Sequence, residues 1–497
     1  MAASGVVLGI DTSTTATKAV LVAPDGRVLG TGTSEYGFDM PRPGWTEQSP
    51  DLWWEATVEA TGRALAAAGI DGDAVAAVGL TGQMHGAVLL DAGNRPVRPA
   101  ILWNDQRTAA ECDAIRAAVG PERLIALTGN DALTGFTAPK LVWVRDHEPD
   151  LWRRIRHVLL PKDYVRLQLT GVHAIDKADG AGTLLFDLAA RDWSEEVLDR
   201  LGIDPALLAP TFEGPDVTGT VTAAAAALTG LRAGTPVVAG GGDQAANGVG
   251  VGAVVEGVMA LSLGTSGVVF AATDHPLVEP AGRVHSFCHA VPGRWHLMSV
   301  MLSAAGSLRW FRDALAPGTS FAELSAEAAT APAGAEGLLF LPYLSGERCP
   351  HPDPLATGAF VGLTLSHVRP HLVRAVMEGV AFGLRDGLDL MVAAGLPAPA
   401  QIRASGGGTA SSVWCQVLAD VLDAEIATVT TTEGAAFGAA MLAAVGIGWY
   451  ASVEDAASRL VTATPVAAPG ADRGRYAERH AAYRELYPAL APLFHRG

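Results

Sequence analysis

Two aspartates that each follow a glycine-rich or apolar segment could do chemistry on a phosphoryl group. Asp243 comes directly after three glycines at the end of a short apolar run. A carboxylate there can take the proton of a hydroxyl that attacks phosphorus, although a helix N-cap is an alternative interpretation. Asp11 also follows an apolar run. It could hold Mg²⁺, which prefers hard oxygen ligands, or simply form a turn.

Two short turns carry the hydroxyl groups and backbone amides that bind phosphate oxygens. The first turn has four hydroxyl side chains in a row, Thr12 to Thr15, and an ordinary polar hairpin turn is the alternative interpretation. The second turn, Gly264 to Gly267, combines glycines that let a ligand approach the backbone with the hydroxyls of Thr265 and Ser266. Their recurrence favours two turns that bind one polyphosphate from opposite sides.

A third glycine cluster, Gly406 to Gly408, lies between the apolar Ile402 and a segment of helical pattern, Ser411 to Asp420. A glycine turn at the start of a helix suits a nucleoside that lies against backbone. The chain has no GxxxxGK[ST] string, which excludes the P-loop as its way of binding phosphate.

The string GQMHG places Met84 and His85 directly after a predicted strand, where ligands bind in α/β sheets. A histidine buried in the core is the alternative interpretation of His85. Trp103, Asp105 and Arg107 could line a polar pocket, but a surface loop with one buried tryptophan explains them equally well.

These residues need an α/β scaffold, and the apolar patterns predict one. The first half begins with an antiparallel meander and continues with alternating helices and strands. The predicted strands are 6–10, 17–22, 27–33, 75–80 and 87–90, and the first long helix is 52–68.

A second block repeats this order from Pro236 onwards. It has a strand over 237–239, a helical segment over 244–252, and strands over 258–263 and 268–272 that flank the second hydroxyl turn. Since the two turns occupy equivalent places, we interpret the chain as two copies of one fold, with a boundary near residues 245 to 255. Two such lobes would enclose a central cleft.

Composition excludes several classes of protein. The 497 residues carry a formal net charge of −17 and no basic block, which argues against nucleic acid and anionic membranes as partners. The start of the sequence lacks a secretory pattern and no segment resembles a membrane span, so we expect a cytoplasmic protein. Four separated cysteines predict reduced, mostly buried thiols rather than disulfides or a zinc site.

Several longer strings together resemble the FGGY carbohydrate kinases, over nearly the whole chain. GFTAPKLVW at 135–143 and the segment 358–379 fit the two signatures of that family. Within the family, the chain is most similar to the branch that phosphorylates D-xylulose rather than to the glycerol or ribulose branches. The strings that carry this similarity are GQMHG, PAILWND, VLLPKDYVRL, VHSFCHA, RWHLMSVMLSAA and LPYLSGERCPH.

The resemblance implies an α/β fold of two ribonuclease-H-like lobes, of the actin and hexokinase type, around a central cleft. Residues 1–247 would form the N-terminal lobe with the sugar site and the first phosphate turn, and residues 248–497 the ATP-binding lobe. The implied reaction is ATP-dependent phosphorylation of the 5-hydroxyl of D-xylulose during D-xylose breakdown. Another sugar or polyol kinase of the family and an actin-like assembly protein are the alternatives. A homodimer is compatible with the resemblance.

The resemblance also implies roles for individual residues. Asp243 would be the general base, and Asp11 would act beside it, with both as ligands of Mg²⁺. The sugar-binding residues would be Met84, His85, Asp105, Asp243 and Gln244. The ATP-binding residues would be Ser13, Thr14, Gly264, Thr265, Gly407, Gly408 and Ser412.

The sequence departs from the family pattern at two of these positions. The first turn usually reads Asp-x-Gly-Thr in the family, but Ser13 stands in place of the glycine and should give the backbone less freedom to approach phosphate. Gln244 follows the expected base, where related sequences carry either Asn or Gln. The choice of sugar therefore depends on a position that differs among relatives.

Overall fold

A computed structural model describes residues 5–430 and 433–496 of the chain. Residues 1–4, the start of the segment expected to lack a secretory pattern, lie outside these ranges. The described residues form two large mixed sheets with helices packed on them, so the predicted α/β class is confirmed. None of the helices in these ranges is long and apolar enough to cross a membrane. All four cysteines are buried and free, as predicted.

The strands agree closely with the predicted ones, and most differ only by one or two residues at an end. In chain order they are β1 (Val6–Thr12), β2 (Ala16–Val22), β3 (Val28–Glu35), β4 (Glu47–Gln48), β5 (Val75–Gly82), β6 (Val88–Leu90), β7 (Ala100–Ile101), β8 (His157–Leu159), β9 (Ile175–Asp176), β10 (Phe186–Asp187), β11 (Asp192–Trp193), β12 (Thr211–Phe212), β13 (Val217–Thr220), β14 (Pro236–Val238), β15 (Gly241–Gly242), β16 (Val258–Leu263), β17 (Gly267–Thr273), β18 (His285–Cys288), β19 (Trp295–Met301), β20 (Leu339–Leu341), β21 (Ala359–Val361), β22 (Gln401–Ser405), β23 (Glu425–Val429) and β24 (Ala463–Ala467).

The helices begin and end at residues with clear local reasons. The first has proline in its first turn and ends at Gly69 in the left-handed conformation, which suits glycine. The helices are α1 (Pro50–Ala68), α2 (Ala109–Val119), α3 (Pro121–Thr128), α4 (Thr137–His147), α5 (Pro149–Trp152), α6 (Pro161–Thr170), α7 (Lys177–Ala181), α8 (Glu195–Leu201), α9 (Ala223–Thr229), α10 (Asp243–Gly250), α11 (Ala305–Leu315), α12 (Phe321–Thr330), α13 (Arg369–Ala393), α14 (Ser412–Leu422), α15 (Gly434–Gly446), α16 (Val453–Leu460), α17 (Arg473–Arg484) and α18 (Leu486–Phe494), with short 3₁₀ turns at Pro205–Leu207, Ala335–Gly337 and Gly407–Ala410.

The two large sheets repeat one strand order. From one edge to the other, the first sheet has the order β3-β2-β1-β5-β14-β13, with β15 also beside β5. Strands β1, β2 and β3 form an antiparallel meander, and β5 lies parallel to β1 on its other side. The second sheet has the order β18-β19-β17-β16-β22-β23-β24, with β22 parallel to β16. This repeat confirms two ribonuclease-H-like lobes.

The lobes meet through helices α10 and α15, which pack on each other with almost no side chains between them. Although α15 comes late in the chain, it lies against β1 and β5 of the first sheet. A Cβ atom added at Gly9 would lie 1.9 Å from the carbonyl oxygen of Ala436, and one at Gly79 would lie 1.9 Å from that of Ala439. Only glycine permits this approach. The boundary expected after residue 247 falls inside α10, and that division stays a prediction.

We predict that Gly79→Ala destabilises the protein by about 1–3 kcal/mol, because the added methyl group has no space beside α15. Gly62→Ala is the matched control, since Gly62 lies in the interior of α1 with open space around it. This control should stabilise the protein by ~0.5–1 kcal/mol through the higher helix propensity of alanine. Urea unfolding of the two variants tests the difference, and equal effects would contradict a close backbone contact between the lobes.

Candidate active site

Three parallel strands end side by side and bring the predicted site residues together. Thr12 at the end of β1 pairs in register with Gly82 at the end of β5, and Gly82 pairs in turn with Gly242 at the end of β15. The loops that follow these strands begin at the same edge of the sheet. Asp11, the Met84–His85 pair and Asp243 therefore lie around one region of the cleft.

Asp11 and Asp243 are half-buried carboxyl groups that act on each other electrostatically. Burial raises the pKa of Asp11 to about 6, against the opposing charge of Lys18. Burial and the charge of Asp11 together raise the pKa of Asp243 to about 7, and hydrogen bonding with Gln244 opposes this rise. One buried carboxylate oxygen of Asp11, Oδ1, has no hydrogen-bond partner among residues 5–430 and 433–496. A pair of crowded carboxylates with a free oxygen is suited to a cation.

The charge beside Asp11 is linked to the second lobe. Lys18 on β2 lies directly opposite Asp11 in the antiparallel register of β1 and β2. Its ammonium group forms an ion pair with Glu433, the residue immediately before α15. The electrostatic surroundings of Asp11 therefore depend on how the two lobes lie against each other.

The first phosphate turn is held by its own side chains. The Ser13 hydroxyl donates a hydrogen bond of 2.8 Å to the carbonyl oxygen of Ala16. Ser13 does not adopt the left-handed backbone conformation, so the glycine usual in the family is not required there. The Thr14 hydroxyl accepts a hydrogen bond of 2.9 Å from the indole N–H of Trp103. These contacts fix the turn next to Asp11.

The second phosphate turn is anchored to the start of α11. The backbone N–H of Ala304 donates to the carbonyl oxygen of Thr265 at 2.9 Å, and that of Ala305 donates to Gly264 at 2.8 Å. This turn connects β16 and β17, as the first turn connects β1 and β2. The predicted equivalence of the two turns is therefore present in the structure.

A cavity of about 220 Å³ lies beside the second turn and brings together four residues predicted to bind ATP. They are Gly264, Thr265, Gly407 and Gly408. The fifth predicted residue of this lobe, Ser412, is exposed and does not line this cavity. Its neighbour Ser411 lines it instead, and caps α14 by accepting a hydrogen bond from the Trp414 N–H at 3.1 Å. Our assignment of Ser412 stays a prediction.

Sequence patterns missed the opposite wall of this cavity. Arg309 on α11, with Phe321 and Ser325 on α12, lines it. The hydroxyl groups of Ser325 and Ser411 lie 2.6 Å apart. No local motif marks α11 or α12. Their side chains line the cavity only because both helices pack against the glycine turn, which lies about 80 to 100 residues further along the chain.

His85 is held in an unusual conformation by the segment that carries the first family signature. Its φ of 69° lies in the left-handed region, which costs a residue with a side chain free energy of order 1–3 kcal/mol. Its carbonyl oxygen accepts hydrogen bonds from Lys140 Nζ at 3.0 Å and from the Thr137 hydroxyl at 3.1 Å. Such strain is typical of functional sites.

The protonation of the His85 ring follows from its surroundings. Burial, assisted by the charge of Lys140, lowers the pKa of His85 to about 3, so the ring is neutral near pH 7. Nδ1 lies 2.6 Å from the carbonyl oxygen of Gly182 and must carry the proton, since a carbonyl only accepts. Nε2 is therefore a hydrogen-bond acceptor for a hydroxyl group.

Met84 links this histidine to Asp243. A Cβ atom added at Gly242 would lie 2.9 Å from Met84 Cγ, so the Met84 side chain packs on the residue just before Asp243. The structure thus brings together Met84, His85 and Asp243, and half-buried Gln244 follows on α10.

Asp105 is placed differently from the other predicted sugar ligands. Its side chain is fully buried, and one oxygen accepts a hydrogen bond of 2.6 Å from the Thr46 backbone N–H. Both oxygens also accept from the Arg107 guanidinium, at 2.9 and 2.7 Å. In this structure Asp105 organises the loop that carries Trp103, and its assignment as a sugar ligand stays a prediction.

A fully buried ionic cluster lies beneath the site. The Lys162 ammonium group contacts three carboxylates, with distances of 2.7 Å to Asp163 and 2.9 Å to Asp179 and a closer contact to Asp176. The Arg166 guanidinium lies 3.3 Å from the Asp163 carboxylate. All five side chains are excluded from solvent, and three carboxylates share two cations. Burial, reinforced by the neighbouring carboxylates, raises the pKa of Asp179 well above its ordinary value.

This cluster lies against the ends of two strands that carry the site, β5 and β15, and against the end of β14. Arg166 donates a hydrogen bond of 2.8 Å to the carbonyl oxygen of Val238 at the end of β14. A Cβ atom at Gly242 would lie 2.7 Å from Asp179 Oδ1, and one at Gly82 would lie 3.4 Å from Lys162 Cβ. The ionic cluster therefore supports the loops that begin after β5 and β15.

Comparisons with known proteins agree over nearly the whole chain. A model of the N-terminal domain of the FGGY family of carbohydrate kinases matches residues 6–250, and a model of the C-terminal domain matches residues 259–447. The xylulose kinase of Escherichia coli (strain K12) is 45% identical over 98% of this chain and 99% of that protein. The xylulose kinase of Klebsiella pneumoniae is 43% identical over 98% and 99%. The crystal structure of a ligand-bound xylulose kinase from Lactobacillus acidophilus matches with a TM-score of 0.93 and 27% identity, covering 98% of each chain.

The ionic cluster yields a prediction about stability. Lys162→Met leaves buried carboxylates without their central cation and should destabilise the protein by ~3–5 kcal/mol. Asp179→Asn is the matched variant, because it removes one of the three carboxylates that share two cations and keeps a polar side chain of similar size. Asp179→Asn should therefore lower the stability clearly less than Lys162→Met does. Urea unfolding at pH 7 measures both, and a larger loss for Asp179→Asn would contradict the excess of negative charge.

Proposed function

The chain belongs to the FGGY family of carbohydrate kinases, and we propose that it transfers the γ-phosphoryl group of ATP to the 5-hydroxyl of D-xylulose. The products are D-xylulose 5-phosphate and ADP. The observation that carries this proposal is the pair of crowded carboxyl groups, Asp11 and Asp243, beside the Met84–His85 pair. Full-length similarity to xylulose kinases favours this sugar over other family substrates.

We assign Asp243 as the general base. Its raised pKa, about 7, gives the carboxylate enough basicity to take a proton from a hydroxyl near neutral pH. The proton of the 5-hydroxyl passes to Asp243 as the sugar oxygen bonds to the γ-phosphorus. The bond between this phosphorus and the bridging oxygen breaks, and that oxygen leaves with ADP.

The carboxylates also fit a magnesium ion, because Asp11 Oδ1 is buried without a partner and Asp243 lies close enough to act on Asp11. Asp11 and Asp243 would hold Mg²⁺, directly or through water, and the ion when bound would neutralise charge on the phosphates.

The two hydroxyl turns divide the contacts to ATP between the lobes. We assign the sugar and the first turn, with Ser13 and Thr14, to the N-terminal lobe of residues 1–247. The second turn and the cavity that it shares with Gly407 and Gly408 would hold the rest of the nucleotide in the lobe of residues 248–497. Both turns can contact one γ-phosphate only when the lobes approach, and closure excludes water that would otherwise hydrolyse ATP.

On the sugar side, the neutral His85 ring accepts a hydrogen bond at Nε2 from a hydroxyl group of the substrate. The bond from Nδ1–H to the Gly182 carbonyl fixes this tautomer. Met84 supplies an apolar surface between the sugar and the backbone before Asp243.

We predict that Asp243→Asn lowers kcat by about 10²–10⁴-fold, because asparagine cannot accept the proton. The same change should stabilise the free protein at pH 8 by about 1 kcal/mol or more, since it removes a half-buried carboxylate with a raised pKa. With a folded-state pKa of about 7 against an ordinary aspartate pKa of 3.8, the protonated carboxyl favours folding at low pH, and this contribution is lost as pH rises through 7.

The gain in stability from Asp243→Asn should therefore shrink between pH 8 and pH 5. Asp73→Asn, at an exposed position, is the control and should change neither rate nor stability. ADP release and thermal unfolding at the two pH values test these statements. Near wild-type turnover by folded Asp243→Asn would exclude Asp243 as the base.

A second prediction concerns His85. His85→Ala should raise KM for D-xylulose about tenfold through loss of one buried hydrogen bond, with ATP affinity unchanged within about twofold. The exposed His275→Ala is the control. Steady-state kinetics for the sugar and titration with a non-hydrolysable ATP analogue separate the two effects. A dominant loss of nucleotide binding would place His85 on the ATP side of the cleft.

A further inference from the structure

Arg348 carries a charge that the neighbouring Glu347 influences but that no group in the described part of the chain binds directly. Within residues 5–430 and 433–496, its guanidinium forms neither an ion pair nor a hydrogen bond, and only its backbone N–H is bonded. The side chain is nevertheless half-buried, and burial lowers its pKa. Charged groups that leave water are normally paired. An unpaired, partly buried guanidinium therefore indicates a binding partner outside the chain.

The loop that carries Arg348 is built rigidly. The adjacent Glu347 carboxylate accepts hydrogen bonds from the backbone N–H groups of Leu302 at 2.9 Å and of Arg348 at 2.7 Å, so it is engaged with backbone rather than with the guanidinium. Asp353 pairs with Glu347 through two backbone hydrogen bonds and accepts a bond of 2.9 Å from the Tyr487 hydroxyl of α18. The C-terminal helix thus holds this loop in place.

The loop lies between the second phosphate turn and the sugar side of the cleft. Leu302 directly follows β19, and two residues later the Ala304 N–H binds the Thr265 carbonyl of that turn. The same strand also leads towards the sugar side of the cleft, because Met298 of β19 pairs in register with His285 of β18. The ring of Phe136 joins His285 to His85, at centroid distances of 5.8 and 4.9 Å.

The electrostatic effects of Arg348 agree with a position near the sugar side of the cleft. Burial is the main cause of the lowered pKa of both His85 and His285, and the positive charge of Arg348 contributes in each case. Arg348 is not among the charges that act on Asp11 or Asp243. The guanidinium therefore lies nearer to the histidines of the sugar side than to the carboxylates at the phosphoryl group.

We propose that Arg348 binds the carbonyl end of the open-chain ketose, donating hydrogen bonds to the C2 ketone oxygen and to a neighbouring hydroxyl. This inference rests on the proposed function, in which the 5-hydroxyl lies at Asp243 and the other end of the sugar extends away from it. A guanidinium only donates, and its N–H groups form a rigid fork. A ketone oxygen accepts in the plane of its carbonyl group, which suits the planar fork. The alditol hydroxyl can also accept, but its oxygen lies on a tetrahedral carbon, so we expect the fork to bind it less well.

The test compares binding of D-xylulose and xylitol to variants at this position. Arg348→Gln should weaken D-xylulose binding about 10- to 100-fold, as expected for hydrogen bonds to a charged donor, and xylitol binding less than threefold. Arg348→Lys should recover part of the loss, because it restores the charge without the fork. Arg153→Gln, at an exposed arginine, is the matched control. Isothermal titration calorimetry gives each affinity, and a non-hydrolysable ATP analogue should bind all variants equally.

Stability separates this role from a structural one. Because the guanidinium forms no hydrogen bond or ion pair with the described residues, Arg348→Gln should not lower the melting temperature of the free protein, whereas loss of a structural contact would lower it. Three outcomes would overturn the inference: equal weakening of D-xylulose and xylitol binding, a loss confined to binding of the ATP analogue, or an unchanged affinity for D-xylulose. Turnover of D-xylulose by the wild-type protein would in each case leave the proposed function standing. No wild-type turnover of D-xylulose would overturn the proposed function and this inference together.

Discussion

The buried ionic cluster around Lys162 is the constraint on which the site depends. Its charges have no access to water, so moving any one of them would leave another unpaired in a medium of low dielectric constant. The cluster contacts Gly82 and Gly242, the last residues of β5 and β15. The loops with His85 and Asp243 thus begin from fixed points. Catalysis gains from such fixation, because donors and acceptors already in place need not reorganise during the reaction.

The tight contact between the lobes lies apart from the two hydroxyl turns. Helices α10 and α15 approach so closely at glycine and alanine that neither can shift sideways into the other. The phosphate turns lie at strand ends outside this contact, one in each lobe. Lys18 and Glu433 add an ion pair between the lobes beside Asp11. A change in the angle between the lobes would therefore first alter the electrostatic surroundings of Asp11.

Sequence patterns predicted what depends on local chain order and missed what depends on packing. The strand Val258–Leu263 was predicted at its exact bounds, because an apolar run ends at a glycine turn. The family resemblance implied Ser412, although the helix cap and cavity wall use Ser411. Asp105 looked available in sequence, but Arg107 and Thr46 engage its carboxylate. Arg348 lies in a string that carries the resemblance, but no sequence pattern shows that its guanidinium lacks a hydrogen bond or ion pair, since this becomes visible only when its neighbours are known.

The site brings together groups that lack a bonding partner or hold a strained backbone in the free protein. Among the described residues, Asp11 has an oxygen without a hydrogen bond, His85 keeps a strained backbone, and the Arg348 guanidinium has no hydrogen bond or ion pair. Each would gain a partner from a different part of the bound substrates in the proposed reaction. Sugar alone would satisfy His85 and Arg348 but leave the crowded carboxylates unneutralised. The nucleotide would satisfy the two hydroxyl turns but not the sugar side. In this proposal a closed arrangement would be favoured most with both substrates present, which is the condition under which phosphoryl transfer to sugar outcompetes transfer to water.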